Sequence, residues 1–171
     1  MSVQKTVRRN FLRRSLGGTA AAAAASAVIL TQPAAAQQAM PKKKVIYRPG
    51  EQPSQGAIFS PGIQFNPLLF VSGQGAHDPK THTVVQGPFS NQVRQCLENL
   101  KTVLEAAGSS LDRVLKCTVF LTDIADFPAM NEVFHTFFPT DPPARSTVAV
   151  KDLPGKSPIA IECIAFVVGE P

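Results

Sequence analysis

The chain has 171 residues, which fits one domain of ordinary size. Its 17 Lys and Arg against 12 Asp and Glu give a formal net charge of +5. Residues 1–36 carry five of the basic side chains and no acidic one, which leaves 12 of each over 37–171. A neutral body with no Trp gives no support for a nucleic-acid surface, because such a surface needs basic groups against phosphate and aromatic platforms for bases. We therefore expect no nucleic-acid partner.

The first 36 residues have the composition of an export signal. Arg8 and Arg9 begin a basic segment, an Ala-rich stretch follows over 16–30, and three alanines at 34–36 offer a cleavage site. The stretch is too short for a comfortable transmembrane helix, and the paired arginines resemble the twin-arginine signal, which exports folded proteins. We predict a signal peptide over 1–36, a periplasmic mature protein and no stable membrane association after cleavage. A first helix of the domain and a retained anchor are the alternatives.

Hydrophobic periodicity in the remaining chain predicts strands, a helix, a strand, a second helix and two final strands. A flexible lead-in is predicted over 37–55, which is rich in Gln, Pro, Lys and Gly, and the domain proper over 45–168. The predicted strands are 45–47, 57–60, 68–71, 114–121, 146–150 and 159–168. The predicted helices run from an N-cap at Ser90 to a stop at Gly108, and over 128–138. This order predicts an α+β fold with two helices on one face of a sheet.

The three cysteines are odd in number and match no zinc or paired-cysteine spacing. Cys96, Cys117 and Cys163 each lie in an apolar periodic segment, so we expect buried thiols that pack as small hydrophobic groups. Export would permit a disulfide, but no spacing requires one. The histidines do not pair at metal-ligand spacing either, and neither a metal nor another cofactor is expected.

Glu162 is the only charged residue in the apolar segment 159–168. A strand this apolar is predicted to be buried on both faces, where a carboxylate must be paired, hydrogen-bonded or functional. Arg145 is its natural counterpart, because only the short loop 151–158 separates the two strands and arginine suits bidentate capture of a carboxylate. The two strands are therefore expected to lie close together. A structural carboxylate at Glu162, and an ion pair of Arg145 with Glu162 or Asp141, are the alternatives.

The Ser-Gly-Gln-Gly segment at 72–75 ends a buried strand, where glycine lets a ligand approach the backbone. It lacks the lysine and the following helix of a phosphate-binding loop. Ser72 has no base at an informative spacing, so it is not predicted to be a nucleophile. Asn131 follows the core residue Met130 on the second helix, and it belongs either to a site or to a solvated helix face.

Five segments in order resemble the YjgF-like Rid family, the reactive-imine deaminases. They are 70–74, 105–108, 116–120, 127–138 with Asn131, and 143–150 followed by Ile161 and Glu162. The resemblance spans about 45–168 and implies a sheet with two helices on one face, similar to the small chorismate-mutase-like trimers. It also implies homotrimers with clefts between subunits. The implied reaction is hydrolysis of 2-imino (enamine) acids such as 2-aminoacrylate to 2-keto acids and ammonia, without metal or organic cofactor.

The same resemblance assigns roles to particular residues. Arg145 falls on the arginine that binds the substrate carboxylate, and Glu162 on the glutamate that positions water. The residues expected around the substrate are Ser72, Gly73, Asn131, Phe59 and Thr147. Many members have tyrosine where Phe59 stands and cysteine where Thr147 stands, so both departures touch the substrate side of the cleft.

Two other functions compete with the deaminase. A module of the same fold could bind a small imino or keto acid through Arg145 without hydrolysing it. Older labels in the family suggest an RNA-cleaving translation inhibitor, against which the neutral charge of 37–171 and the export signal both argue.

Overall fold

The computed structural model describes residues 42–51 and 53–168. In chain order the elements are β1 (Lys44–Ile46), β2 (Gly62–Phe65), β3 (Leu68–Gly75), α1 (Phe89–Ala106), β4 (Val114–Leu121), α2 (Phe127–Phe137), β5 (Ala144–Ala149) and β6 (Ile159–Phe166). The predicted signal peptide lies outside the described residues. No helix within the described ranges is long and apolar enough to cross a membrane.

The six strands form one sheet in the order β1-β2-β3-β6-β4-β5. Strand β5 pairs parallel to β4, and every other pairing is antiparallel. Helix α1 packs on β3 and β6 and against α2. The core lies between the helices and the sheet. It is built from buried apolar side chains, among them Leu69, Leu100, Val119 and Ile161. The predicted α+β fold, one sheet with two helices on one face, is confirmed.

The strand predicted over 57–60 is wrong. That segment is a surface loop in which Ile58 is 93% and Phe59 67% exposed, and β2 begins only at Gly62. A Cβ on Gly62 would lie 3.1 Å from Val103 Cγ1 of α1 and 3.2 Å from Ile46 Cβ of β1. The absence of a side chain therefore lets β2 pack tightly beneath α1, which a hydrophobicity pattern does not reveal.

Helix α1 ends at the predicted position, but its N-cap is not the predicted residue. Gly108 adopts a φ of +76°, and the N–H of Ser109 donates to the Leu104 carbonyl at 2.9 Å, a helix stop that favours glycine. The predicted cap at Ser90 is wrong, because the N-cap position is Pro88 and Ser90 lies within the first turn. The extended backbone of Pro88 ends the preceding loop and starts the helix without a side-chain cap.

The prediction that the last strand is buried on both faces is wrong for a single chain. Side chains of β6 alternate, with Ile161 fully buried under the helices and Glu162 exposed on the opposite face. We call this second surface of the sheet the open face. Only one face of the strand is covered because both helices pack on the same side. Glu162 therefore does not need an internal partner.

All three cysteines are buried and free, as predicted. Burial raises the pKa of each thiol, that of Cys117 to about 12. The Cys96 thiol donates to the Gln74 carbonyl oxygen at 2.8 Å. Protonated, buried thiols of this kind pack as small hydrophobic groups and are poor nucleophiles.

Candidate functional site

Arg145 is held in a cradle formed by one face of α2. Its Nη2 donates to Asn131 Oδ1 at 2.6 Å. The guanidinium carbon lies 4.5 Å from the centroid of the Phe134 ring and 5.7 Å from that of Phe127. Phe127, Asn131 and Phe134 are spaced i, i+4 and i+7, so a single helix face presents all three. Cation–π contacts with the two rings and one hydrogen bond to the Asn131 side-chain amide thus fix the position of the guanidinium group.

The cradle supplies no counter-charge. Among the described residues no carboxylate lies within 4.0 Å of Arg145, and the ion pair considered with Glu162 or Asp141 is not formed. Burial lowers the pKa of the Arg145 guanidinium, although arginine stays protonated at any physiological pH. Its contacts with Asn131 and with Met130 Sδ, at 3.8 Å, use two of five N–H donors. The remaining donors suit the carboxylate of a ligand.

Glu162 lies with Ser72 and Gly73 at a β-bulge. Strands β3 and β6 shift register there, so that these two residues oppose the single residue Glu162. The Ser72 hydroxyl donates to the Pro61 carbonyl oxygen at 3.1 Å. Glu162 and Ser72, with Thr118, line a cavity of about 340 Å³ on the open face. The bulge therefore places a hydroxyl and exposed backbone beside a carboxylate.

Gln74 braces this bulge, a role that the sequence did not reveal. Its side chain is 2% exposed, and its amide nitrogen donates to the Ser72 carbonyl at 2.8 Å and to the Ser72 hydroxyl at 3.2 Å. Its amide oxygen accepts from Arg48, which also pairs with Glu51 at 2.6 Å. The one available signal was a polar side chain between two glycines at the end of an apolar segment.

Arg145 and Glu162 lie on opposite faces of the sheet. Arg145 pairs with Cys117, whose side chain is buried beneath the helices, whereas Glu162 pairs with Thr118 on the open face. The two strands, which the short loop predicts to lie close together, are not adjacent, because β4 lies between β5 and β6. Two strand spacings separate their backbones by about 10 Å, and their side chains point apart.

The other predicted site residues divide between these two surfaces. Thr147 follows Arg145 by two residues on β5 and so shares its face. Its Oγ1 is buried, and no hydrogen-bond partner is found for it among the described residues. Phe59 lines a second cavity, of about 750 Å³, which also reaches Ser72 and Gly73. A Cβ on Gly73 would meet nothing within 4 Å, so the backbone there is open to approach from outside.

Within the described ranges, no three His, Cys, Asp or Glu side chains group so as to hold a metal ion. The arrangement consists of a cationic half around Arg145 and a second half around Glu162, Ser72 and Gly73. The sequence profile of a family described as Endoribonuclease L-PSP matches residues 49–167, which include both halves. The chain belongs to this family. The resemblance to the YjgF-like Rid proteins is confirmed by this match together with a matching crystal structure whose name assigns it to the Rid protein family.

Individual members of the Endoribonuclease L-PSP family match most of the described chain. A RutC family protein of Pyrococcus horikoshii is 47% identical, over 63% of this chain and 86% of its own. A protein of Dermatophagoides farinae named 2-iminobutanoate/2-iminopropanoate deaminase is 34% identical, over 75% of this chain and 99% of its own. The crystal structure of E. coli TdcF with bound serine matches with a TM-score of 0.66 at 34% identity, over 73% of this chain and 99% of its own.

Proposed function

We propose that the protein hydrolyses 2-imino acids to 2-keto acids and ammonia. The observation that carries the proposal is the Arg145 cradle, a cation held by two rings and one amide with no carboxylate partner among the described residues. One relative is named for this reaction, and a solved relative holds serine, which resembles a 2-imino acid in size and in its carboxylate. Both point to an amino-acid-like substrate.

We further propose that the site is completed by a second copy of the chain. A small substrate cannot reach both Arg145 and Glu162 within one chain, because they lie on opposite sheet faces. The open face around Glu162 also exposes apolar side chains, among them Phe70 at 43% and Val148 at 45%, which a partner would cover. Three copies related by cyclic symmetry would form three equivalent sites, each with one Arg145 and one Glu162.

The mechanism requires that the substrate be held in a fixed orientation and that one general base accept a proton from water. Arg145 of one copy holds the substrate carboxylate, which converts a bimolecular hydration into an oriented one. The carboxylate of Glu162 in the other copy accepts a proton from water as that water attacks the electrophilic imine carbon. Glu162 then gives that proton to the nitrogen of the carbinolamine, the C–N bond breaks and ammonia leaves, and the hydroxyl proton passes to Glu162 as the carbonyl of the 2-keto acid forms. Backbone groups of Ser72 and Gly73 contact the substrate from the Glu162 side.

Glu162→Gln is expected to lower kcat about 100-fold or more, because glutamine keeps the volume and loses the base. Binding of the product keto acid should change little, since Arg145 still holds the carboxylate. Steady-state kinetics with imines generated by an amino-acid oxidase, and calorimetry with the keto acid, measure the two effects separately. Glu105→Gln, at an exposed position of α1, is the matched control. An unchanged kcat in Glu162→Gln would remove Glu162 from the mechanism.

The same pair of measurements separates the competing functions. A module that only binds carboxylates would take up keto acids through Arg145 and hydrolyse no imine even when unmutated. An RNA-cleaving activity, which the description of the family names, has weaker support, because residues 37–171 carry 12 basic and 12 acidic side chains. Such a balance favours a small-molecule substrate over a polyanion.

We propose that the precursor is exported on the twin-arginine route to the periplasm. The support is the sequence alone, the arginine pair before a weakly apolar segment. Replacing both Arg8 and Arg9 with Lys should leave the full-length precursor in the cytoplasm, whereas replacing Arg13 and Arg14 should not. Cell fractionation followed by immunoblotting measures the distribution. Periplasmic mature protein from the Arg8→Lys, Arg9→Lys double variant would rule out this route.

A further inference from the structure

The larger cavity extends well beyond what a small imino acid needs. Its volume of about 750 Å³ falls in the range of ~300–1,000 Å³ that holds drug-sized ligands. Ser72 lines both this cavity and the smaller one that contains Glu162. The two cavities therefore meet at the bulge where the proposed substrate carbon is attacked. A substituent on that carbon would extend away from Glu162 into the larger space.

The walls of this cavity are mostly apolar. Phe59 stands at its rim and is 67% exposed in the single chain. Phe120 and Ala160, which are paired across β4 and β6, contribute the part of the wall that lies on the open face. Leu153 and Pro154, from the loop before β6, contribute further apolar surface. The Phe59 ring itself offers no hydrogen-bond donor.

The polar side chains that line the cavity are mostly engaged in bonds within the chain. The Gln74 side-chain amide donates to Ser72 and accepts from Arg48. Asn99 donates to the carbonyl oxygens of Gly75 and His77 at 2.9 and 2.8 Å. These amides therefore hold the cavity wall together and have little capacity left for a ligand.

Most of the charged and ring groups that line the cavity are engaged in the same way. Arg48 pairs with Glu51, and the Asp78 carboxylate accepts from two backbone N–H groups of its own turn. His77 Nε2 lies 3.0 Å from the Gly155 carbonyl oxygen. His82, the other ring on this wall, lies at the exposed turn. A polar substituent entering the cavity would lose water and gain few new partners, which is unfavourable.

We infer that the larger cavity is a side-chain pocket and that the preferred substrates are imino acids with a bulky apolar side chain, aromatic or branched aliphatic. This inference rests on the proposed function, since it takes the imino carbon to lie beside Ser72 and Glu162. The apolar walls favour a ring or an alkyl branch through burial of apolar area. A methyl side chain would leave most of the pocket filled with water.

Binding of three 2-keto acids to the intact wild-type protein tests the inference without requiring catalysis. Pyruvate, 4-methyl-2-oxopentanoate and phenylpyruvate share the carboxylate and the carbonyl and differ in the side chain. We expect the Kd measured by calorimetry to fall about 10-fold or more from pyruvate to phenylpyruvate, with the branched acid between them. Equal affinities, or tighter binding of pyruvate, would overturn the inference.

A cavity-filling variant locates the effect in this pocket. Ala160→Leu should remove most of the preference for phenylpyruvate while pyruvate binds as in wild type. Ala106→Leu makes the same change at an exposed position of α1 and should leave the whole series unchanged. A preference that persists in a folded Ala160→Leu protein would place the side chain elsewhere and overturn the assignment. If that variant does not fold, the wild-type series still decides the substrate class.

Hydrolysis of the matching imines separates this inference from the proposed function. Imines generated by an amino-acid oxidase from alanine, leucine and phenylalanine should show kcat/KM rising in that order, about 10-fold or more overall. Failure to hydrolyse any of them would contradict the proposed function. The keto-acid series would still test whether the larger cavity prefers a bulky apolar side chain. Faster hydrolysis of the alanine-derived imine than of the phenylalanine-derived one would overturn the inference and leave the proposed function standing.

Discussion

Arg145→Ala is expected to abolish imine hydrolysis at limiting substrate while leaving the fold intact. Removing the charged partner of a bound carboxylate costs roughly 2–5 kcal/mol, which corresponds to about 30-fold to several thousandfold in kcat/KM. Arg145→Lys should recover little, because an ammonium group cannot reproduce the two-pronged geometry or the contact with both Phe127 and Phe134. Steady-state kinetics with oxidase-generated imines measure the loss, and circular dichroism checks the fold.

Arg94 offers a matched control for this prediction. Its guanidinium carbon also lies over a ring, that of Phe137, at 5.9 Å, but Arg94 is exposed on α1. Arg94→Ala therefore removes an arginine–aromatic contact without touching the proposed site, and its activity should equal that of the unmutated protein. Full activity of Arg145→Ala at limiting substrate would show that the carboxylate is held elsewhere and that the proposed mechanism is wrong.

Mixing two inactive variants is expected to restore activity. If each site takes Arg145 from one copy and Glu162 from another, a trimer assembled from Arg145→Ala and Glu162→Gln chains contains sites with both residues intact. Random assembly of equal amounts restores about one quarter of the sites, because each of the two contributing copies supplies its intact residue half of the time. Co-refolding the two variants and measuring kcat per chain tests this expectation.

The double variant Arg145→Ala/Glu162→Gln, mixed with either single variant, is the control and should restore no site. Light scattering on each mixture establishes that the chains assemble as trimers. Trimeric mixtures of the two single variants without activity would contradict a site shared in this way. A monomer of the mature chain at micromolar concentration would contradict the assembly itself.

The local structure of the chain could be predicted because it depends on residues a few positions apart. The helix stop at Gly108 depends on the one residue type that readily adopts a φ of +76°. The apolar stripe of α2 predicted a helix over nearly the observed range. Ordered motifs, each contained within one or two elements, indicated the family that the profile match confirms.

The relation between Arg145 and Glu162 could not be predicted in this way. A short loop over 151–158 predicts two strands that lie close together, yet this loop spans the end of β4. Val150 N–H donates to the Leu121 carbonyl at 2.8 Å, and Thr122 N–H donates to the Pro158 carbonyl at 3.0 Å. The inserted strand moves the two residues apart. Which strand lies between β5 and β6 depends on pairing between segments distant in sequence, and no local sequence pattern predicts it.

The sequence by itself determined the types of most elements and the family, and it suggested site residues by resemblance. Only the tertiary structure decided that Arg145 lies under α2 and Glu162 on the open face, and that Gln74 braces the bulge between Ser72 and Glu162. The physical reason is that a side chain's face follows from its strand's register. That register is set by burial and hydrogen bonding summed over the whole sheet, not by the few residues around it.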